Sequence, residues 1–339
     1  MTKNFPSSAP VLVELYRGDV IESRHRGWIA VCDNNGTIKR QLGKPLPSAY
    51  VRSSLKPFQI LPLLINKIDE KFNFTEQELA IIMSSHSGQA KHIELVLSIL
   101  EKTGFTKDNL KCGAHSPIHR ASSATIYKKG EKPCNLHCNC SGKHAGMLAV
   151  CKFYGWEIEG YLSPDHPVQK LIGKSIAYMT DMPEDGLKAG IDGCGVPVYP
   201  IPLNNLAMGY ARLVASENLK KEYQEAVRKV VEIMIKYPDL IAGDERFDTD
   251  LMQEMKGKLI CKGGGEAVCC SALVKDKIGI ALKIEDGNSR AVGPVMMEVL
   301  KQLNALSKSN LENLKKWHNT PSYNFAKTLV GGLRPVFKL

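Results

Sequence analysis

In the stretch CNCSGKHAGML, Cys138 to Leu148, two thiols, an amine and an imidazole occupy seven consecutive positions before the chain turns apolar. Cys140 and Lys143 stand three apart, and at a helix entry that spacing puts both side chains on one face. The stretch reads either as a small-residue helix start that carries a lysine, or as donors for a metal or a reactive centre. GIDGCGVPV offers the same choice, with Asp192 and Cys194 among glycines. It reads as a tight turn before a strand, or as a ligand source whose natural partner is CNCSGKH. Thiolates and imidazoles are common metal donors.

A second kind of chemistry sits in RSSLKP, where Ser53 and Lys56 are three residues apart. A desolvated lysine, or one beside another cation, can shed its proton and serve as base for a serine hydroxyl. Backbone N–H groups at a helix start can then hold a developing oxyanion. Ser-x-x-Lys is short enough to arise by chance, so its context matters. Pro57 disfavours helical dihedrals at Lys56, which predicts that the helix begins here with Pro57 in its first turn.

Two further stretches belong with these. MSSHSGQAKH places Ser84, Ser85, His86 and Ser87 between two helical patterns, as a capped turn or as a wall that presents hydroxyls to a cleft. LICKGGGEAV puts Lys262 after an apolar strand and before three glycines, which let a ligand approach the backbone. A phosphate-binding loop is excluded by spacing, because Val168 occupies the first glycine position in VQKLIGKS, the nearest match. KTG at Lys102–Gly104 resembles a motif of penicillin-recognising enzymes but ends an early helix, and CNLHCNC lacks the second cysteine pair of a zinc finger.

The elements that must position these residues follow from periodicity. Residues 11–41 alternate apolar and polar around turns at RGD and DNNG, an antiparallel meander. The period becomes helical from SLKPFQILPLLINKI, and TEQE is a capping box opening the next helix. KHIELVLSILEKTGF ends at Gly104, a C-cap. KHAGMLAVCKFYG, HPVQKLIGKSIAYM, NLAMGYARLVA and KKEYQEAVRKVVEIMIKY continue the helical pattern. Strands resume at KLICK and KIGIALKIED, followed by a helix at RAVGPVMMEVLKQLNAL. The expected fold class is α/β in the mixed α+β sense: an antiparallel-rich sheet from N- and C-terminal strands with helices, plus a helical middle lobe. The 339 residues are read as one compact unit with two closely packed lobes, a sheet lobe of about 1–70 plus 258–339 and a helical lobe of about 71–257.

Composition narrows the class of function. The net charge of +10 comes from scattered lysines mixed with glutamates, without a basic stripe interleaved with aromatics, so a nucleic-acid partner is not expected. No apolar run reaches bilayer length, so no membrane partner is expected either. The opening MTKNFPSSAP has no apolar core of an export signal, and a cytoplasmic protein is the expectation. Ten cysteines in such a chain are not read as a disulfide framework. Cys32, Cys112, Cys151, Cys261, Cys269 and Cys270 read as core hydrophobes, and Cys134, Cys138, Cys140 and Cys194 as loop residues with chemical potential.

RSSLKP, SSHSG, CSGKHAGML, DGCGVP and CKGGGEA, in this order, resemble the Rhizobium-type L-asparaginase family, the asparaginase II group distinct in fold from the bacterial type I/II and plant-type enzymes. ELYRGDVIESRHRG and YPDLIAGDERFDTDLM are similar to that family too, so the resemblance spans nearly the whole chain. One departure is Ala267, where a glycine is commoner, and it bears on local loop geometry. The resemblance implies a serine β-lactamase-like fold, a homodimer, and hydrolysis of L-asparagine. It implies two Ser–Lys tandems, Ser53 with Lys56 and Ser85 with Lys262, with the nucleophilic serine left open. It also implies zinc held by Cys140, Lys143 and Cys194, with Arg52, His144 and Asp192 as polar residues around the substrate. The competing readings are a related serine amidase acting on glutamine or another amide, and a zinc-dependent asparagine-binding protein without turnover.

Overall fold

The computed structural model describes residues 9–339. The leading MTKNFPSS, most of the segment read for an export signal, lies outside the described residues. By contact density the chain divides into two units. One comprises residues 9–54, 201–215 and 250–339, and the other residues 55–200 and 216–249.

The first unit is built on an eight-stranded sheet. The meander expected near the N-terminus is present as Val11–Arg17, Val20–Asp33 and Ile38–Leu42. Val11–Arg17 pairs antiparallel with Leu329–Pro335 on one side and with Val20–Asp33 on the other. Val20–Asp33 pairs antiparallel with Ile278–Ile284, which is followed by Val268–Leu273 and then Leu259–Gly264. N- and C-terminal strands thus share one antiparallel sheet, as the pattern predicts. Trp28 to Cys32 are all fully buried, because that part of the strand lies between two sheet neighbours and beneath the helix Leu203–Val214. Its unbroken apolar run, rather than alternation, is the signature of cover on both faces.

Three strands of this sheet escape detection by periodicity, Val268–Leu273, Pro321–Tyr323 and Leu329–Pro335. Val268–Leu273 is the fully buried VCCSAL, and Leu329–Pro335 carries Gly331 and Gly332 in its middle. A Cβ at Gly331 would lie 1.8 Å from the Tyr16 carbonyl oxygen. Glycine is there so that the two backbones can approach, which erases the hydrophobic pattern.

The second unit is helical. Its helices include Glu76–Ile82, Ala90–Thr103, Ser141–Tyr154, Pro167–Thr180 and Lys221–Lys236. The capping box is formed: Glu78 N–H donates to Thr75 Oγ1 at 3.2 Å and Thr75 N–H to Glu78 Oε2 at 2.6 Å. Gly104, at φ +75°, closes the helix Ala90–Thr103 as expected. Lys102 of the KTG stretch pairs with Glu78 at 2.7 Å and Thr103 bonds back to Ile99, so that triplet is structural. Among the described residues no helix is long and apolar enough to cross a membrane. All ten cysteines are free thiols.

The tightest helix-on-sheet contact is at Gly279, where an added Cβ would meet Ala207 O at 1.9 Å and Ala211 N at 2.5 Å. Both partners are backbone, so neither can turn aside. Gly279→Ala is expected to destabilise the sheet unit by about 3 kcal/mol, the upper range for overpacking, read as a lowered urea midpoint.

Candidate active site

The helix Ser141–Tyr154 packs its small face on the end of Glu76–Ile82. A Cβ at Gly142 would fall 2.2 Å from Ile81 O, and one at Gly146 would fall 2.6 Å from Ile82 Cγ2. The small-residue reading of CSGKHAG therefore holds, and it does not compete with the chemical one. The same contact brings Asn139 and Ser84 to either side of the Lys56 amine. Lys56 is 1 % exposed. Its Nζ donates to Ser84 O at 2.5 Å and to Asn139 O at 3.1 Å. Two N–H bonds are thus fixed, and the amine's remaining tetrahedral position holds either a proton or a lone pair. The helix carrying it runs Lys56–Gln59 with Pro57 in its first turn, as the sequence requires.

Ser84, Ser85, His86 and Ser87 are all buried in the loop between the helices Glu76–Ile82 and Ala90–Thr103. Backbone and hydroxyl bonds tie the loop to residues 241–243: Ser85 N–H donates to Ile241 O at 2.8 Å, and Ser87 Oγ to Ala242 O at 2.8 Å. Gly243 sits at φ +117°, and a side chain there would strike Ser87 Oγ. His86 and His92 stack with ring centroids 5.2 Å apart. Ser141 Oγ donates to Leu136 O, so it accepts from His86 Nε2–H, while His86 Nδ1 accepts from Gly88 N–H. His92 Nδ1 accepts from Gln89 N–H, and its Nε2–H donates to Asp239 O. Burial drives His86 well below its ordinary pKa and lowers His92 to about 4. Both rings are neutral structural posts. The capped-turn reading of this loop holds for Gln89, which precedes the helix Ala90–Thr103, whereas Ser87 ties the loop to Ala242 and Ser85 is the buried hydroxyl beside the carbonyl that holds Lys56.

Cys140 caps the start of the helix Ser141–Tyr154, and Lys143 and His144 follow in its first turn. Cys194 lies in the loop of a small hairpin, Gly190–Ile191 paired with Pro197–Val198. Asp192 shapes that loop: its Oδ1 accepts from Gly193 N–H, and its carbonyl accepts from Gly195 N–H, with Gly195 at φ +88°. The structure brings Lys143 Nζ to 3.1 Å from Cys194 Sγ. The thiols of Cys138 and Cys194 both hydrogen-bond Cys140 and hold it well below the ordinary thiol range, helped by the Lys56 and Lys143 charges. Burial opposes the Lys143 ammonium, but the Cys140 and Cys194 sulfurs and Asp192 outweigh it and raise its pKa. In tetrahedral zinc with ligands at 2.0–2.3 Å, nitrogen and sulfur lie about 3.6 Å apart, so the 3.1 Å contact is an ammonium–sulfur hydrogen bond, and Lys143 would have to shed its proton and part slightly from Cys194 to share an ion with it. His144 is completely buried, with Nδ1 at 2.8 Å from Tyr161 Oη, and burial brings its pKa to about 3. Its Nε2 has no hydrogen-bond partner among the described residues.

In the sheet unit, Ser53 belongs to the turn Arg52–Leu55. Arg52 adopts φ +50°, a left-handed conformation costing about 1–3 kcal/mol outside glycine. Ser54 Oγ bonds Val51 O, and Tyr210 Oη donates to Ser54 O at 2.7 Å. The strand Leu259–Gly264 ends against this turn: a Cβ at Gly264 would lie 2.8 Å from Val51 O and 3.5 Å from Ser53 N. One at Gly265 would meet the Arg52 guanidinium carbon at 3.3 Å. The glycines after Lys262 are therefore what lets its strand reach the serine turn. Lys262 is buried, with Nζ donating to Gly263 O at 3.0 Å. Glu266 and Ala267 both have positive φ, +58° and +52°. Ala267 thus stands where glycine would be unstrained, and Lys283 Nζ clamps the turn by donating to Glu266 O and Ile284 O at 2.6 Å each.

The predicted residues fall into two groups by unit: Arg52, Ser53 and Lys262 in one, and Lys56, Ser85, Cys140, Lys143, His144, Asp192 and Cys194 in the other. Sequence reasoning missed Tyr161, which orients His144, and placed Cys112 in the core. Cys112 is buried, but its thiol hydrogen-bonds Asn135 O and pairs with Cys138, extending the thiol series. The CG dipeptide ahead of a histidine was the only signal for it.

The family model for L-asparaginase II matches residues 13–335, and the chain belongs to that family and is an amidohydrolase. Comparison with curated protein sequences gives no match. A solved structure described as a candidate beta-lactamase from Bacteroides dorei is similar at 11 % identity and TM-score 0.39, over 81 % of this chain and 93 % of that one.

The neutral histidine posts set a pH limit. A buried imidazole with a lowered pKa contributes stability above the unfolded value of about 6.5 and loses it as pH falls towards the folded one. His92→Gln, which keeps an acceptor for Gln89 N–H, is expected to flatten the fall in unfolding free energy between pH 6 and pH 5 by about 1 kcal/mol per unit. Urea denaturation at both pH values measures it.

Proposed function

We propose that the protein hydrolyses L-asparagine to L-aspartate and ammonia through an acyl-enzyme formed on Ser53. Ser53 Oγ attacks the side-chain amide carbon while its proton passes to Lys56. The tetrahedral adduct collapses with cleavage of the C–N bond, and the departing nitrogen takes up a proton and leaves as ammonia. Water then attacks the ester and frees aspartate and the serine. The observation that carries this reading is the Lys56 amine, buried and directed by two carbonyl oxygens, at a helix start three residues after the serine. Backbone donors of that start would hold the oxyanion, each worth roughly 3–4 kcal/mol in such sites. Ser85 and Lys262 form the second hydroxyl–amine couple, which relays the proton to the leaving nitrogen or to the deacylating water.

Arg52 clamps the substrate carboxylate and Asp192 its ammonium. Zinc would be held by Cys140, Lys143 and Cys194, and the close Lys143–Cys194 contact supports it. Bound there, the ion would supply a fixed positive charge that orients substrate. The unpartnered His144 Nε2 supports a polar contact to the substrate from the same helix. A cytoplasmic homodimer completes the proposal.

Ammonia release is expected from asparagine, with Ser53→Ala lowering kcat at least a thousandfold. Rapid-quench mass spectrometry should find the adduct on the Ser53 peptide. An adduct surviving Ser53→Ala and lost in Ser85→Ala would make Ser85 the nucleophile. Faster release from glutamine would reassign the substrate, and ligand-induced stabilisation without ammonia would make the protein a binder. Cys194→Ser is expected to cut bound zinc, read by elemental analysis, from near one per chain to below one tenth.

A further inference from the structure

One cleft in the helical unit lies outside all of this chemistry. It has a volume of about 260 Å³ and is bordered by the helix Pro167–Thr180 and by residues 184–199. Tyr199 lines it and is 6 % exposed, yet its hydroxyl has no hydrogen-bond partner among the described residues. Gly173 faces that hydroxyl: a Cβ there would already stand at 3.6 Å, so any larger side chain would close the approach. Lys174 and Glu184 also line the cleft. Both side chains are exposed, and neither makes an ion pair among the described residues. Lys170, one helical turn before Lys174, adds a second cation, whose ammonium lies 3.9 Å from Asp165 Oδ1. Gln169 is committed elsewhere, its amide donating to Tyr161 O and contacting the Met147 sulfur, so it serves as wall.

A phenol hydroxyl open to a cleft that a cation and an anion also line is complementary to a small zwitterion. We propose that this cleft binds a free α-amino acid, its carboxylate facing Lys174 and the Tyr199 hydroxyl and its ammonium facing Glu184. The volume falls below the ~300–1,000 Å³ of sites for drug-sized ligands, which suits an amino acid better than a nucleotide. The inference does not rest on the amide hydrolysis proposed above. The ligand could be the substrate or product of that reaction or an unrelated amino acid, and separate probes distinguish these.

Isothermal titration of the full chain with glycine and L-aspartate, and of a Ser53→Ala background with L-asparagine to suppress turnover, tests the site. At least one probe is expected to show saturable binding that Lys174→Ala and Glu184→Gln each weaken tenfold or more and Tyr199→Phe weakens measurably. Acetate and ethylamine, each carrying half of the zwitterion, should bind at least tenfold more weakly than that probe. Binding at the catalytic serine would not respond to substitutions at 174 and 184, so the two sites are told apart. Both side chains are exposed, so the variants fold, and melting curves verify it. The proposal is overturned if no probe binds in a way these substitutions weaken, or if acetate matches the amino acid.

Discussion

The contact between Gly142 and the Ile81 carbonyl is the constraint on which the candidate residues of the helical unit depend. A side chain at position 142 would have to push two backbones apart, and the helix Ser141–Tyr154 would lift from the end of Glu76–Ile82. Ser84 and Asn139, whose carbonyls hold the Lys56 amine, lie immediately beyond that contact on its two sides. The hydrogen bond from His86 to Ser141 locks the same junction with a ring that burial keeps neutral. Position and direction of the amine are thus consequences of one glycine-sized gap.

Four buried lysines show how much burial alone can mean. Lys283 gives its donors to the carbonyls of a strained turn and is structural. Lys143 faces sulfur rather than carbonyl oxygen, and Lys56 reaches two carbonyls from separate segments. Lys262 bonds the carbonyl next to it in the chain, at the mouth of the glycine run. A buried ammonium is costly unless it is hydrogen-bonded, so every one of them has partners. Partner chemistry sets Lys143, which faces sulfur, apart from the three that face carbonyl oxygen.

Backbone strain concentrates in the sheet unit around the serine turn. Arg52, Glu266 and Ala267 all occupy left-handed conformations, and Gly264 and Gly265 are pressed against residues 51–54. Strain of this kind persists only where surrounding contacts over-determine it, here the Tyr210 and Lys283 hydrogen bonds. The turn that presents Ser53 is held in place by residues far from it in the chain.

The order of elements, the capping box at Thr75–Glu78, the terminal strands sharing one sheet and the Pro57 helix start were legible because they depend on periodicity and on local dihedral preference. So was the pool of chemical residues, since motif spacing is written directly in the chain. Val268–Leu273 and Leu329–Pro335 were not legible, because full burial and close backbone approach replace alternation with cysteines and glycines. Nor could sequence decide that Cys112 joins a thiol series or that Tyr161 orients His144. Those are contacts between segments that carry no periodic mark of one another. Local geometry is encoded in neighbouring residues, whereas a side chain's partner, and with it its charge, exists only after distant backbones have packed.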